Sequence, residues 1–245
     1  MRYRPFRYHG LTAPAVRPPA PLPQVWMLRS YLDHLVVTAP SLAAGVGYVE
    51  DALGAPLETG GRHLLMGTHN CLLRLGGELY LEVIAVDPDA LVPQRSRWFE
   101  LGPGHGPEAP RLAAWVARVD DIQRASESVS RRLGPIETMR RGGLEWRITV
   151  PSDGSLPFQG IAPMLIQWRN GPHPADRLQD RGCALLRLEG FHPEPEGILA
   201  LLEAVGFQGP FTVARIGSGE APSLVAHIRT PQGIRLLNLS GERHG

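Results

Sequence analysis

Leu32-Asp33-His34-Leu35-Val36-Val37 is a short apolar run of alternating side chains, and together with the helix signal directly after it this strand decides the fold. Ser41 is placed to cap a helix in which Leu42, Val46, Val49 and Leu53 recur at helical spacing, and Gly54 with Pro56 ends it. Strands are then expected over residues 62–66, 69–75 and 79–86, with Gly76-Gly77 joining the last two as a hairpin.

The same plan returns twice. A second strand over 112–119 leads to a cap at Asp120 or Asp121, a helix through Ile122, Ala125 and Val129 to Leu133, a stop at Gly134-Pro135, and strands over 144–150 and 164–168. A third, shorter copy has a strand over 184–188, a helix over about 194–205 closed by Gly206, and strands over 211–216, 224–228 and 234–238. Repeated strand, helix, then strands implies an α+β fold of βαβββ modules with a third partial module.

Composition removes several function classes. Of 245 residues 43% are hydrophobic, enough for a core, and a formal net charge of +1 leaves no electrostatic footprint for nucleic acid or an anionic membrane. The chain has no lysine, which excludes a Schiff-base lysine, a phosphate-loop lysine and a lysine general base. Cys71 and Cys183 form no C-x-x-C pair and are too few for a disulfide framework, which suits a reducing cytoplasm. No run of about 18 uncharged apolar residues occurs, so no membrane span is expected.

The chain divides into a Pro- and Arg-rich extension (1–28), a first module (29–90), a linker (91–110), a second module (111–175) and the third partial module (183–240). Before Met27 there are six prolines, four arginines and no acid, a composition expected to be disordered. Met27 precedes the first strand directly and offers an alternative translation start.

Leu32-Asp33-His34-Leu35-Val36, Gly67-Thr68-His69-Asn70, Tyr80-Leu81-Glu82-Val83-Ile84 and Ile166-Gln167-Trp168 with His173-Pro174 together resemble the glyoxalase-like domain family of the vicinal oxygen chelate superfamily. In that superfamily paired βαβββ modules curl around a small-molecule cleft, so the resemblance implies that the modules here form a curved sheet around a cleft. Members that use a metal take one ligand from the opening strand and one from the closing strand of each module. The resemblance therefore implies metal ligands at His34 and Glu82, and at Gln167 in the second module, where Ala114 occupies the position corresponding to His34.

Strand alternation separates His34, Val36 and Thr38 from Leu35 and Val37, and puts Tyr80, Glu82 and Ile84 on one face. A buried carboxylate such as Glu82 needs a cation, a proton or a donor. Two readings of the pair stand: one divalent metal (Mn, Fe, Ni or Zn) held with Gln167, or hydrogen bonding of His34 and Glu82 to each other or to arginines in a cleft without metal. His69, Asn70, Arg147 and Trp168 are candidates to line the cleft and bind substrate, although alternation allows only one of His69 and Asn70 to face it. His173, His192 and His227 are assigned to solvent or structure.

The function implied by the resemblance is a metal-assisted lyase, isomerase or ring-cleaving enzyme on a small oxygen-bearing substrate, with Glu82 as general base. The alternative is a metal-free protein that binds or sequesters a small molecule. The partner is a small-molecule ligand, and the chain is expected to be a monomer or homodimer.

Overall fold

All of β1 (Ser30–Thr38) except Tyr31 is buried, and Leu35-Val36-Val37 has the unbroken apolar character of a strand covered on both faces. This is a computed structural model describing residues 28–102 and 106–238; the expected extension up to residue 27, with its alternative start at Met27, lies outside the described residues. After β1, the Ser41 hydroxyl accepts the Ala44 N–H at 3.2 Å and opens α1 (Leu42–Leu53). Gly54 ends the helix at φ 65°, a left-handed conformation that disfavours any residue with a Cβ. Val49 and Leu53 are wholly buried against the sheet, each contributing about 1.5–3 kcal/mol of transfer free energy.

Three strands complete the first module: β2 (Glu58–His63), β3 (Thr68–Arg74) and β4 (Tyr80–Val86). The second module has β5 (Arg111–Val119), α2 (Ile122–Leu133), β6 (Ile136–Arg141), β7 (Leu144–Thr149) and β8 (Met164–Asn170). Of the two aspartates offered as its cap, Asp121 accepts the Arg124 N–H at 3.1 Å. Strand β6 has no counterpart among the expected elements, because Ile136-Glu137-Thr138-Met139-Arg140-Arg141 lacks an apolar run.

The strands of both modules join in one sheet of order β2-β3-β4-β1-β5-β8-β7-β6. β1 and β5 pair antiparallel at its centre, while β1–β4 and β5–β8 are parallel, so the two halves are related by a two-fold. The sheet curls until β2 and β6, its two ends, approach each other. Both faces are apolar. Helices α1 and α2 cover the convex one, and Val36, Ile84, Val116, Met139 and Ile166 line the concave one with Trp98, Phe99 and Leu101.

Those last three residues come from the stretch read as a linker. Trp98, Phe99 and Leu101 are 1–3% exposed, so the connection between modules plugs the concave face. Phe99 and Glu100 hold left-handed backbone (φ 54° and 57°), a conformation costly for non-glycine residues and held here by the packing around them.

The remaining elements are α3 (Pro174–Arg177), β9 (Ala184–His192), α4 (Pro195–Ala204), β10 (Phe207–Gln208), β11 (Phe211–Arg215), β12 (Ser223–Thr230) and β13 (Gly233–Leu237). They keep the strand, helix, strands order but pair as β11-β9-β12-β13, an arrangement different from that of the two modules. Leu188, Leu224, Ile228 and Leu237 add this second sheet to the helix-side core, and Trp115 stacks near Phe207 and Phe211 at 5.1 and 4.8 Å. Among the described residues no helix is long and apolar enough to cross a membrane.

Candidate functional site

The site begins with a break in β1. Pairing with β5 shifts register between Leu32 and His34, leaving Asp33 as the extra residue of a bulge. A bulge re-aims a side chain, and the Asp33 carboxylate comes within 2.6 Å of the ring of its own neighbour. His34 Nδ1–H donates to Asp33 Oδ1. Asp33 Oδ2 accepts from Trp168 Nε1–H at 2.9 Å and from His173 Nε2–H at 3.0 Å. His173 Nδ1 takes the Ala175 backbone N–H at 3.3 Å, which fixes the proton on Nε2.

Asp33 is fully buried. Burial alone would push its carboxyl up, but the hydrogen bonds donated by His173 and His34 outweigh it and hold the group well below the usual carboxylate range. The carboxylate in turn fixes the orientation of His34. With Nδ1–H committed to Asp33, Nε2 points into the cleft, 3.7 Å from Glu82 Oε2. Tyr80 stacks on the imidazole at 4.6 Å and 17°; burial, then the charges of Asp33 and Glu82, push its phenol well up, so it stays neutral.

Glu82 is held from its other oxygen, where Oε1 accepts Asn70 Nδ2–H. Asn70 Oδ1 accepts the Gly61 N–H at 2.7 Å and Arg141 Nη1–H at 3.1 Å. Gly60 and Gly61 make this approach possible. A Cβ at Gly60 would lie 2.1 Å from Asn70 Oδ1, and one at Gly61 would lie 2.8 Å from Arg141 Cδ. Arg141 Nη1 also donates to His63 Nε2 at 3.0 Å, so this β6 residue ties the two ends of the curled sheet together. His63 is pushed down to about 3, by burial first and then by Arg141 and His34, and therefore accepts as a neutral ring. Its Nδ1–H donates to Thr68 Oγ1, which also accepts Trp98 Nε1–H.

Four sequence candidates meet here: His34, Glu82, Asn70 and Trp168 line one cleft. Three do not. Gln167 Nε2 donates to the Asp120 carbonyl and Arg147 Nη2 to Gln123 Oε1 at 3.1 Å, both on the helix side of the sheet. His69 neighbours Asn70 in β3 and alternates to the face opposite it. Asp33, His63, Tyr80, Trp98, Arg141 and His173 were not among the candidates. The signal for Asp33 was available: strict alternation would have buried a carboxylate in the helix-side core beside Leu35. His173, assigned to solvent or structure, is a direct partner of Asp33.

Register also corrects the ligand positions of the second module. His34 pairs with Val116 and Val36 with Ala114, so the two-fold exchanges His34 with Ala114 and Val36 with Val116. Val36 lies beside Glu82 and Val116 beside Met164, which makes Met164, not Gln167, the counterpart of Glu82. The first module thus gives the cleft His34, Asn70 and Glu82, and the second gives it Trp146, Ile148, Ile166 and Trp168 with Arg141 as its charged residue. Against a divalent metal, His34 and Glu82 supply two donors, with Asp33 correctly placed behind the imidazole. Two donors do not make the set the resemblance implies, and among the described residues no group of three His, Cys, Asp or Glu is disposed to hold a metal ion.

The space between these side chains is about 20 Å³, room for about one water. A larger groove of about 460 Å³ adjoins it, lined by Leu64, Leu65, Thr138, Met139 and Arg140, with His63 and Trp146 forming the wall shared by the two.

A family model described as a glyoxalase-like domain matches residues 32–206. Among solved structures, a hypothetical protein from Staphylococcus aureus is similar at 12% identity over 87% of this chain and 86% of that one, with a TM-score of 0.53. A mutant 4-hydroxymandelate synthase from Streptomyces coelicolor is 19% identical over 86% and 63% of the two chains, with a TM-score of 0.44. Methylmalonyl-CoA epimerase from Mycobacterium tuberculosis is 17% identical over 59% and 91%, with a TM-score of 0.34. No curated protein matches the chain at a significant level.

Proposed function

The chain belongs to the glyoxalase-like domain family of the vicinal oxygen chelate superfamily, and from that premise we propose that it moves a proton on a small oxygen-bearing substrate, using His34 as the base and no metal. The observation that carries this reading is the Asp33–His34 pair: Nδ1–H is bound to a buried carboxylate and Nε2 is aimed into the cleft.

In this reading Nε2 takes a proton from the carbon next to a carbonyl. The C–H electron pair forms the C=C bond of an enolate, and the carbonyl oxygen takes the charge. The imidazolium then lies between Asp33 and Glu82, whose carboxylates stabilise it. With a hydroxyl on the deprotonated carbon, that hydroxyl passes its proton to the former carbonyl oxygen and becomes the new carbonyl, while His34 returns its proton to the former carbonyl carbon, which gives the isomeric α-hydroxy carbonyl compound. Expulsion of a group from the β-carbon, with the enolate pair re-forming the carbonyl, gives an elimination. Both outcomes keep the isomerase and lyase types that the family resemblance implies, with His34 rather than Glu82 as base; ring cleavage is not carried forward.

The test is solvent exchange. Small α-hydroxy aldehydes, ketones and 2-oxo acids are incubated with the protein in D₂O containing EDTA, and loss of the C–H signal is followed by NMR. Exchange that disappears in His34→Gln is expected. Exchange that requires an added divalent metal would instead support the metal-assisted reading, and binding without exchange would support sequestration.

A further inference from the structure

We propose that Arg141 is the carboxylate-binding residue of this site, and that the ligand is a small acid whose apolar tail lies in the groove beside Leu64, Leu65 and Met139; this rests on the cleft's being a ligand site. Arg141 lies in β6 and lines the cleft, while its neighbours Met139 and Arg140 line the groove. Its Nη1 is committed to His63 Nε2 and Asn70 Oδ1, both neutral acceptors. Among the described residues, Nε and Nη2 make no hydrogen bond, and no carboxylate lies within 4 Å of the guanidinium. Those two N–H groups form the edge with which a guanidinium grips a carboxylate through two parallel bonds.

The surroundings favour such a guest. The neutral His63 holds Arg141 in position without compensating its charge, so the cation is presented in a half-buried, aromatic-walled mouth, its Cζ 5.9 Å from the Trp146 ring. Leu64 and Leu65 are 83% and 51% exposed at the turn after β2, an apolar surface that a ligand's tail would cover. Arg141 lines the same cleft as His34 and Glu82, so a 2-oxo or 2-hydroxy acid gripped by it is held beside that cleft.

The experiment measures binding alone, by calorimetry on the full chain, with straight-chain 2-oxo acids of four to eight carbons and their primary amides. Wild-type protein is expected to bind the acids at least about tenfold more tightly than the amides, with affinity rising along the series. Arg141→Gln, and Arg141→Lys to a lesser degree, should lose that preference while amide binding persists, which also reports that the variant is folded. Leu65→Ser should remove the gain with chain length and leave the acid preference. Equal binding of acids and amides by wild type, equal weakening of both by Arg141→Gln, or no binding by any acid of the series would overturn the proposal. Because no turnover is measured, acid preference without proton exchange would overturn the His34 reading alone, and exchange without acid preference would overturn this one alone.

Discussion

Asp33 and His34 are neighbours in a strand, yet their side chains hydrogen-bond at 2.6 Å. The bulge that makes this possible also delivers Asp33 to two donors from the second half of the chain, Trp168 and His173. One carboxylate therefore orients the His34 imidazole and fastens the end of the second module to the first.

Removing that carboxylate should be costly. Asp33→Ala leaves the N–H groups of His34, Trp168 and His173 without their acceptor in a buried site, and a loss of about 3–5 kcal/mol is expected in urea unfolding. Asp33→Asn keeps an acceptor and should cost less. The carboxyl is held below its ordinary value of 3.8, so the unfolded chain binds the extra proton first. The stability Asp33 contributes is present above about pH 4 and falls on further acidification, a dependence that Asp33→Asn should lose.

His63 acts over a different pH window. Its folded value of about 3 lies below the ordinary 6.5, so between these values the unfolded chain carries a proton that the folded one does not. Stability should decline as pH falls from 6.5 toward 3, with a slope approaching about 1.4 kcal/mol per pH unit from this residue. His63→Gln should flatten that limb of the stability curve measured by denaturant titration.

The modules were legible in the sequence because each is a strand with period two, a capped helix with period 3.6 and a glycine stop, and caps, Val49, Leu53 and Gly54 all serve as their residue types imply. His34, Glu82, Asn70 and Trp168 were legible for the same reason, since alternation assigns faces. What failed was whatever alternation does not govern. A bulge returned Asp33 to the site, and pairing register, which no single strand contains, set Met164 rather than Gln167 opposite Glu82. Arg141 was missed with its whole strand, whose polar sequence faces groove and solvent more than core.

Gly60→Ala tests how closely the Asn70 arm is built. The added methyl would meet Asn70 Oδ1 at 2.1 Å, and neither the carboxamide nor the strand has room to yield without releasing Glu82 or Arg141. A loss of about 1–3 kcal/mol in thermal or urea unfolding is expected, together with weaker ligand binding. Gly47→Ala, inside α1 with nothing within 4 Å of the added carbon, should by contrast stabilise by about 0.5–1 kcal/mol and leave binding unchanged.

Residues on the other face should be silent. Arg147→Ala and Gln167→Ala remove bonds to Gln123 and to the Asp120 carbonyl on the helix side, so ligand affinity should be unchanged and stability should shift by no more than about 0.5 kcal/mol. A large loss of binding in Gln167→Ala would return that side chain to the site.

The ring nitrogens of His34 give the most direct test of the Asp33–His34 assignment, because their protonation does not depend on knowing a substrate. In protein labelled with ¹⁵N at histidine, and assigned through His34→Gln, the neutral ring is predicted to show Nδ1 with the chemical shift of a protonated nitrogen and Nε2 with that of an unprotonated one. An unprotonated Nδ1 with the proton on Nε2 would contradict the Asp33 clamp, and with it the assignment of Nε2 as the atom that takes the proton.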